Sequence, residues 1–524
     1  MLPCIPVGDY KMSLFRLLKL LRMVRLLLAQ DALLPDGFQR HAPLSVRVFR
    51  RLFTLGARRF KDQDGAHGLA DFIRKFGPSY IKLGQFLATR ADVIGDAMAA
   101  DLGHLQDRLP PFAQHQVDQI LLEELGDYSQ HMSPVGPALA AASIAQVHQA
   151  HRPDAPDNKL AVKVLRPNIE TTLTRELAVF MALAKATERF MPSVRRLRPV
   201  AAMQTLSRSI KGETDLRMEA AALSEMAANT QNDDGFCVPN VVWEASTRRV
   251  LTMQWIDGVP ASDVEALRAA GHDLPALGQR LIAMFLTQAL RDGFFHADMH
   301  QGNLIIQADG TITGIDLGIT GRLDIDSRRF LAEILHGFIT RDYYKVAAVH
   351  LEAGYVPAHH NVDEFAQALR SIGEPIRDQD ADNISMARLL TQLFEVTEQF
   401  QMETQPQLLL LQKTMVTVEG VARGFDPKLN IWNAAEPIVS NWLKNQLGPQ
   451  AILRDFNQNA GATLRALRRL PDTLAQAERG AAALEAMAEN TQPKTPHNGG
   501  ARLTKWVSWS ALALAASAVV LSLL

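Results

Sequence analysis

Along most of the chain apolar residues recur at helical spacing, while short strand-like runs are gathered between residues 159 and 316. Residues 69–149 read as helix-rich, with breaks at Gly77-Pro78, Pro110-Pro111 and Ser133-Pro134. The run Lys159-Leu-Ala-Val-Lys-Val-Leu165 reads as a strand, ended by Pro167. Long helical patterns fill 169–228, strand-like pieces return at 237–242 and 249–255, and helix resumes over 275–291. Two further short strands, 303–307 and 311–316, flank Ala308-Asp309-Gly310, where Asp-Gly signals a hairpin turn. From Ser327 to about Met487 the pattern is helical throughout, and no internal repeat is visible. A small β-containing part therefore precedes a large helical part.

Composition narrows the classes of function. The chain has 524 residues, 47% of them apolar, so a sizeable core can form. Its formal charge of -1 shows no basic excess for nucleic acid, and 6% aromatic content is low for a base-stacking surface. We expect no nucleic-acid partner. Two cysteines, Cys4 and Cys237, form neither a disulfide framework nor a zinc-ligand set and fit a reducing compartment.

The two ends differ from the body. Residues 506–524 are nineteen positions without a charge. At about 1.5 Å per residue, a helix of that length just spans a hydrocarbon core roughly 30 Å thick. Trp506 and Trp509 stand where interfacial aromatics belong, and Arg502 and Lys505 would keep the body cytoplasmic. Residues 490–500, NTQPKTPHNGG, read as a linker. The competing reading of 506–524 is a buried, Ala- and Ser-rich terminal helix. At the N-terminus, Arg16, Lys19, Arg22 and Arg25 interrupt the apolar run of 11–30, a pattern that does not match a secretory signal. That segment reads equally as a membrane-surface helix or as a helix packed on the body.

The candidate chemistry is phosphoryl transfer, which needs cations on phosphates, carboxylates on the metal and one group orienting the nucleophile. Lys163 lies mid-strand between valines, a costly place for an ammonium unless it meets an anion. Asp298 and Asn303 are spaced as the catalytic Asp and metal-binding Asn of a kinase loop, in His296-Ala-Asp-Met-His-Gln-Gly-Asn303. Asp316-Leu-Gly318 follows the hairpin, where a kinase carries its second metal ligand. Together and in this order they mark 296–318 as an Mg–ATP site of a protein-kinase-like fold. A metal hydrolase built on His296, Asp298 and His300 would explain neither Lys163 nor Asp316. No glycine-rich loop precedes Lys163. In its place stand Leu139, Ala140, Ala141, Ala142, Ser143, Ile144, Ala145, Gln146 and Val147. Their methyl groups limit how closely backbone N–H groups approach a phosphate. Alternatively this is an ordinary small-residue helix start capped by Ser143.

AAASIAQVH, LAVKVLRP, HADMHQGN and IDLG together resemble the UbiB family of atypical kinases. So does Gly77-Pro-Ser-Tyr-Ile-Lys-Leu-Gly-Gln85, whose Lys82 and Gln85 fall on the family's KxGQ signature, followed by Leu105-Gln-Asp107. Glu213-Thr-Asp215 matches the family's ExD motif and would otherwise read as a solvated helix face. The resemblance implies that Lys163 contacts nucleotide phosphates and pairs with Glu213, and that residues 139–147 cover the nucleotide. It makes Asp298 the catalytic Asp, gives Mg²⁺ to Asn303 and Asp316, and lays the KxGQ helix over the cleft as a block to protein substrates. Gln301, Leu317 and Gln254 depart from the family pattern (Pro, Phe and a hinge acid are usual) without removing a charged catalytic group.

The expected architecture is α+β: a bilobal kinase-like fold with a small β-containing N-lobe, a large helical C-lobe, a helical N-terminal extension and a C-terminal transmembrane helix. The expected segments are 1–68 (N-terminal helices), 69–130 (KxGQ extension), 131–260 (N-lobe), 261–489 (C-lobe), 490–505 (linker) and 506–524 (anchor). The expected activity is that of an ATPase or small-molecule kinase using ATP (or ADP) and Mg²⁺ in ubiquinone biosynthesis. Membrane lipids, lipophilic quinone precursors and other biosynthesis proteins would be its partners, at a bacterial inner membrane. The rival readings are a protein kinase regulating biosynthetic enzymes and a nucleotide-gated scaffold without phosphotransfer.

Overall fold

The computed structural model describes residues 73–74, 76–88, 101–102, 105, 109–190, 199–377, 396, 399–402 and 406–447. The N-terminal segment 11–30, Gln106, Asp107, the linker 490–500 and the uncharged tail 506–524 lie outside the described residues. By contacts the chain divides into two units, 1–440 and 441–524; of the second only 441–447 are described.

Helix α1 (Pro78–Ala88) carries the KxGQ residues, and α2 (Gln114–Leu125) leads into the first sheet. Strands β1 (Ala138–Ala141), β2 (Ala145–His151) and β3 (Lys159–Leu165) are followed by α3 (Ile169–Phe190), α4 (Pro199–Glu213), α5 (Leu216–Thr230) and β4 (Phe236–Cys237). Strand β5 (Val250–Gln254) completes an antiparallel sheet of order β1-β2-β3-β5. Next come β6 (Val259–Pro260), α6 (Val264–Ala269), α7 (Leu274–Thr287), β7 (Phe294–His296), β8 (Leu304–Ile306), β9 (Ile312–Gly314) and β10 (Thr320–Arg322). These short strands form a sheet β4-β9-β8-β6 and a pair β10-β7. The remaining described elements are helices: α8 (Ile325–Thr340), α9 (Tyr343–Glu352), α10 (Val362–Arg377), α11 (Pro406–Phe425) and α12 (Ile431–Leu447). None of the described helices is long and apolar enough to cross a membrane.

Strand β3 shows why the sheet forms here. It is central, paired on both sides, and all its residues after Lys159 are buried, so its sequence is continuously apolar apart from Lys163. Alternate residues face opposite ways. Leu160, Val162 and Val164 enter one core with Val117, Ile120 and Leu121 of α2, leaving Ala161 and Lys163 for the opposite face.

The alanine-rich segment is a correction to the sequence reading. Residues 138–149 fall within the stretch expected to be helix-rich, yet 138–151 form the β1–β2 hairpin, in register from Ala145↔Leu165 to His151↔Lys159 on β3. Alanine favours helix, but its propensity is small beside a seven-pair ladder on a buried central strand. The expected strand 159–165 and the hairpin after Asn303 form as read, the latter with the Leu304↔Gly314 to Ile306↔Ile312 register.

In the helical part, α7 is buried along one face from Leu274 to Leu286 and starts at Asp273, whose side chain accepts from the Ala276 N–H. α7 packs on α11 so closely that a Cβ on Gly278 would lie 3.0 Å from the Ala422 carbonyl oxygen.

Candidate nucleotide and metal site

Lys163 is 8% exposed and points to the face of β3 away from α2. Its Nζ donates to Glu219 Oε1 at 2.8 Å and Oε2 at 2.9 Å, and to Asp316 Oδ2 at 2.9 Å. One buried cation thus joins the first sheet, helix α5 and the loop after β9.

The expected Lys163–Glu213 pair is not made. Glu213 ends α4 and instead meets Lys82 of α1 at 2.7 Å, each side chain 11% exposed. Asp215 then caps α5 by accepting from the Arg217 N–H, and it binds the Arg217 guanidinium. Glu219 lies on the first turn of α5, on the same buried face as Leu216, Ala220, Leu223 and Met226. Helical phase is the reason: the face bearing Leu216 and Glu219 docks on the core, and Glu213 lies before the helix starts. Glu219 is the functional residue that sequence reasoning missed. The signal was available as an acid on an otherwise apolar 3.6-residue stripe.

The electrostatics follow from three charges sharing one buried place. Burial raises the Glu219 carboxyl, Lys163 opposes this, Asp316 adds to it, and the balance is a group pushed up to about 7. Burial would also raise Asp316, but the Lys163 ammonium, its hydrogen bond and the Gly318 N–H hold that carboxyl well below the carboxylate range. Burial would lower Lys163, and the two carboxylates reverse this, so it stays charged. A lysine with two acids on it leaves Asp316 the ionised one, since its side chain is 40% exposed and Glu219 is not.

The second half of the site is the turn from β7 to β8. Its backbone is self-bonded: the His300 N–H donates to the Asp298 carbonyl, the Asn303 N–H to the His300 carbonyl, and the Gly302 N–H to His300 Nδ1. Asn303 Nδ2 donates to the Asp298 carbonyl at 3.0 Å, so its Oδ1 is the end left as an acceptor. The Ile315 N–H donates to the Asn303 carbonyl at 3.0 Å, which places Asp316 one residue beyond Asn303's own strand partner. The Asp316 Oδ1 accepts from the Gly318 N–H, and Leu317 is buried in the position where a kinase has Phe. The Thr414 hydroxyl of α11 lies 3.0 Å from the Ala297 carbonyl and 2.8 Å from the Leu410 carbonyl of its own helix, so its single proton is shared between the helix and the residue before Asp298. The Asp298 side chain is 32% exposed, with His300 Nε2 at 3.8 Å from its Oδ2.

His296 does not serve as a metal ligand beside Asp298 and His300. Its ring is fully buried, its Nδ1 accepts from the Asp298 N–H, and burial lowers its basicity. Among the described residues no group of three or more His, Cys, Asp or Glu is arranged to hold a metal. The donor set suits Mg²⁺ instead, which takes one or two carboxylates or amides and completes its shell with phosphate and water. Asp316 is held ionised, each of its oxygens keeps a second lone pair, and Asn303 presents Oδ1.

Residues 139–147 form the hairpin tip and its two strands, with the Ala142 N–H donating to the Ala145 carbonyl at 2.8 Å. Leu139 and Ala140 are exposed, while Ser143, Ile144, Ala145 and Gln146 are buried. Gln85 Nε2 donates to the Leu105 carbonyl at 3.3 Å. The structure therefore brings Lys163, Asp298, Asn303 and Asp316 into one site, and ties Lys82 to Glu213 at the base of the helix that carries Glu219. At the hinge, Gln254 is exposed and accepts from Asn240 Nδ2.

A β-sheet lobe with a lysine–glutamate pair, followed by a helical part with these two acidic loops, defines a kinase-like protein. Sequence comparison bears on which kind. The ABC1 atypical kinase-like domain matches residues 104–350, and the UbiB helical domain matches residues 369–430. The chain is 37% identical over 468 residues to a "Probable protein kinase UbiB" of Aeromonas hydrophila, across 87% of this chain and 84% of that one. It is 36% identical over 405 residues to the same-named protein of Marinobacter nauticus, across 76% and 74% of the two chains. Among solved structures, the complex of Rv3197 with erythromycin from Mycobacterium tuberculosis aligns with a TM-score of 0.50 at 22% identity, covering 77% of this chain and 98% of that chain, a likeness of fold. The chain belongs to the UbiB family of atypical kinase-like proteins.

Proposed function

We propose that this protein binds Mg–ATP at Lys163, Asn303 and Asp316 and turns it over, as an ATPase or small-molecule kinase, in support of ubiquinone biosynthesis. The observation that carries this reading is the triad of buried Lys163 and Glu219 with half-buried Asp316, beside the loop of Asp298 and Asn303. Lys163 would hold phosphate oxygens, and Glu219 keeps it aimed. Asn303 and Asp316 would hold Mg²⁺, which neutralises charge developing on the transferred phosphoryl group. Asp298, carboxylate outward, accepts the proton of a hydroxyl or water nucleophile. The tail 506–524 would anchor the protein in a bacterial inner membrane, where membrane lipids, lipophilic quinone precursors and other biosynthesis proteins are its partners. The alanine-rich hairpin would cover the nucleotide, and the helix bearing Lys82 and Gln85 would restrict access to the cleft.

The test is nucleotide binding and hydrolysis by the full chain, with and without Mg²⁺, membranes and phenolic quinone precursors. Mg²⁺-dependent binding, with hydrolysis lost in Asp298→Asn and Asp316→Ala, supports the reading. Absence of nucleotide binding sinks it, as does full restoration of ubiquinone by Asp298→Asn in a null strain. The relatives' printed name favours a second reading, phosphorylation of a protein. Transfer of labelled phosphate to a partner protein, lost in Asp316→Ala, decides for it.

A further inference from the structure

The alanine-rich hairpin is held from outside by a segment that precedes the whole sheet. Arg166, the residue after β3, is at the centre. Its Nη2 donates to the Pro110 carbonyl at 2.9 Å and to the Ala142 carbonyl at 2.8 Å, and its Nε donates to the same Ala142 carbonyl at 3.1 Å. Its guanidinium carbon lies 5.8 Å from the centroid of the Phe112 ring. Gln146 makes a second link, its Oε1 accepting from the Phe112 N–H at 2.9 Å. The Leu109 N–H donates to the Ala141 carbonyl at 3.3 Å. Gln146 is itself fixed by His148, whose Nε2 is 2.9 Å from its Nε2 and whose Nδ1 meets the Gly136 carbonyl at 2.7 Å. Residues 109–112 are therefore bonded to both sides of the hairpin turn, and Ser143, Ala145 and Gln146 within it are at most 1% exposed. A glycine loop moves freely over a phosphate; this turn carries methyl groups and an external clamp.

We propose that Arg166 and Gln146 are positioning residues that clamp residues 109–112 onto the alanine-rich hairpin, coupling nucleotide binding to the order of that segment. The proposal rests on the nucleotide reading of the cleft. By linkage, a clamp that preorganises the hairpin for nucleotide must itself be tightened when nucleotide binds. Arg166 acts through the carbonyls it holds. Its replacement by lysine keeps the charge but loses the Nε donor, the planar fork and the face over Phe112.

The full chain and its Arg166→Lys, Arg166→Met and Gln146→Leu variants are titrated with Mg–ATP. Amide hydrogen exchange of residues 109–112 is followed with and without nucleotide. We expect the dissociation constant to weaken about fivefold to thirtyfold in each variant, the size of one or two lost hydrogen bonds. Arg166→Lys should resemble Arg166→Met, with the loss falling on KM rather than kcat. Nucleotide should slow exchange at the Leu109 and Phe112 amides of the wild type and do so less in the variants. Wild-type affinity in Arg166→Lys overturns the clamp, because charge alone then suffices. So does wild-type exchange at 109–112 that ignores nucleotide. Should Arg166→Met not fold, Gln146→Leu and the wild-type exchange decide. A wild type that binds no nucleotide refutes the functional reading; normal affinity in every variant of a binding wild type refutes the clamp alone.

Discussion

Replacing Lys163 by Met removes the one cation between two acids and should be felt first as a pH-dependent loss of stability. Glu219, at 6% exposure, then has two options. It can stay ionised without a partner, at about 3–5 kcal/mol. Or it can bind a proton, which costs about 1.4 kcal/mol for each pH unit above its ordinary value of 4.5, hence about 3.5 kcal/mol at pH 7, of which the wild type with its raised Glu219 already bears about 3. The protonated route is the cheaper at pH 7, and its cost falls to nothing as the pH approaches 4.5. Loss of the half-exposed Lys163–Asp316 contact adds at most about 1 kcal/mol. A carboxyl raised in the folded state binds more protons there than in the unfolded chain, so stability falls as pH rises from 4.5 through the folded value. In the wild type that fall ends near 7, where Glu219 ionises against Lys163. In the variant Glu219 lacks its cation, its folded value is higher still, and the fall continues. Urea unfolding of both proteins between pH 5 and 8.5 should show a gap of about 1 kcal/mol at pH 7, because the wild type already carries most of the cost of its raised Glu219, and the gap should widen by roughly 1 kcal/mol at pH 8. Adding Glu219→Gln to Lys163→Met should remove the widening. A gap independent of pH, or one that shrinks above pH 7, would refute the triad as described.

Three further outcomes follow from the same geometry. Thr414→Val removes the hydroxyl shared between the buried Ala297 carbonyl and the Leu410 carbonyl and should cost about 1 kcal/mol by denaturant titration; no measurable loss would mean the hydroxyl does not brace the loop. Gly293 has φ +64° and a methyl there would meet the Leu323 carbonyl. Gly293→Ala should therefore cost about 2–4 kcal/mol, read as a lower melting temperature, and wild-type melting would contradict the tight turn into β7. His148 is lowered by burial, so its neutral form contributes stability that is complete above its ordinary 6.5 and is lost as pH falls below it. Melting of the wild type should drop more between pH 6.5 and 5 than that of His148→Gln, and parallel curves would refute this.

Much of the site was legible because its parts are local. Lys163 is marked by an ammonium inside a valine strand, Asp298 and Asn303 by a fixed spacing, and Asp316 by the hairpin before it. Glu219 was not, although it lies six residues from the acid chosen in its place. Motif matching selects Glu213; only the phase of α5, begun by the Asp215 cap and docked by Leu216, Ala220 and Leu223, says which acid faces the lysine. The alanine-rich hairpin was misread for a related reason. Local propensity in ALAAASIAQVHQAH favours helix, and its strand form depends on a partner strand that lies further along the chain.

The sequence by itself determined that the protein has a kinase-like order of charged residues, because those signals sit in short segments whose geometry is set by a few neighbours. It also determined that Lys82 and Glu213 are both present, with nothing to pair them. Only the tertiary structure decided that these two bind each other, that Glu219 takes Lys163, and that residues 109–112 fasten the hairpin. Ion pairs and backbone contacts between distant segments depend on how helices and sheet dock, and docking is set by the whole core, which no single stretch of sequence contains.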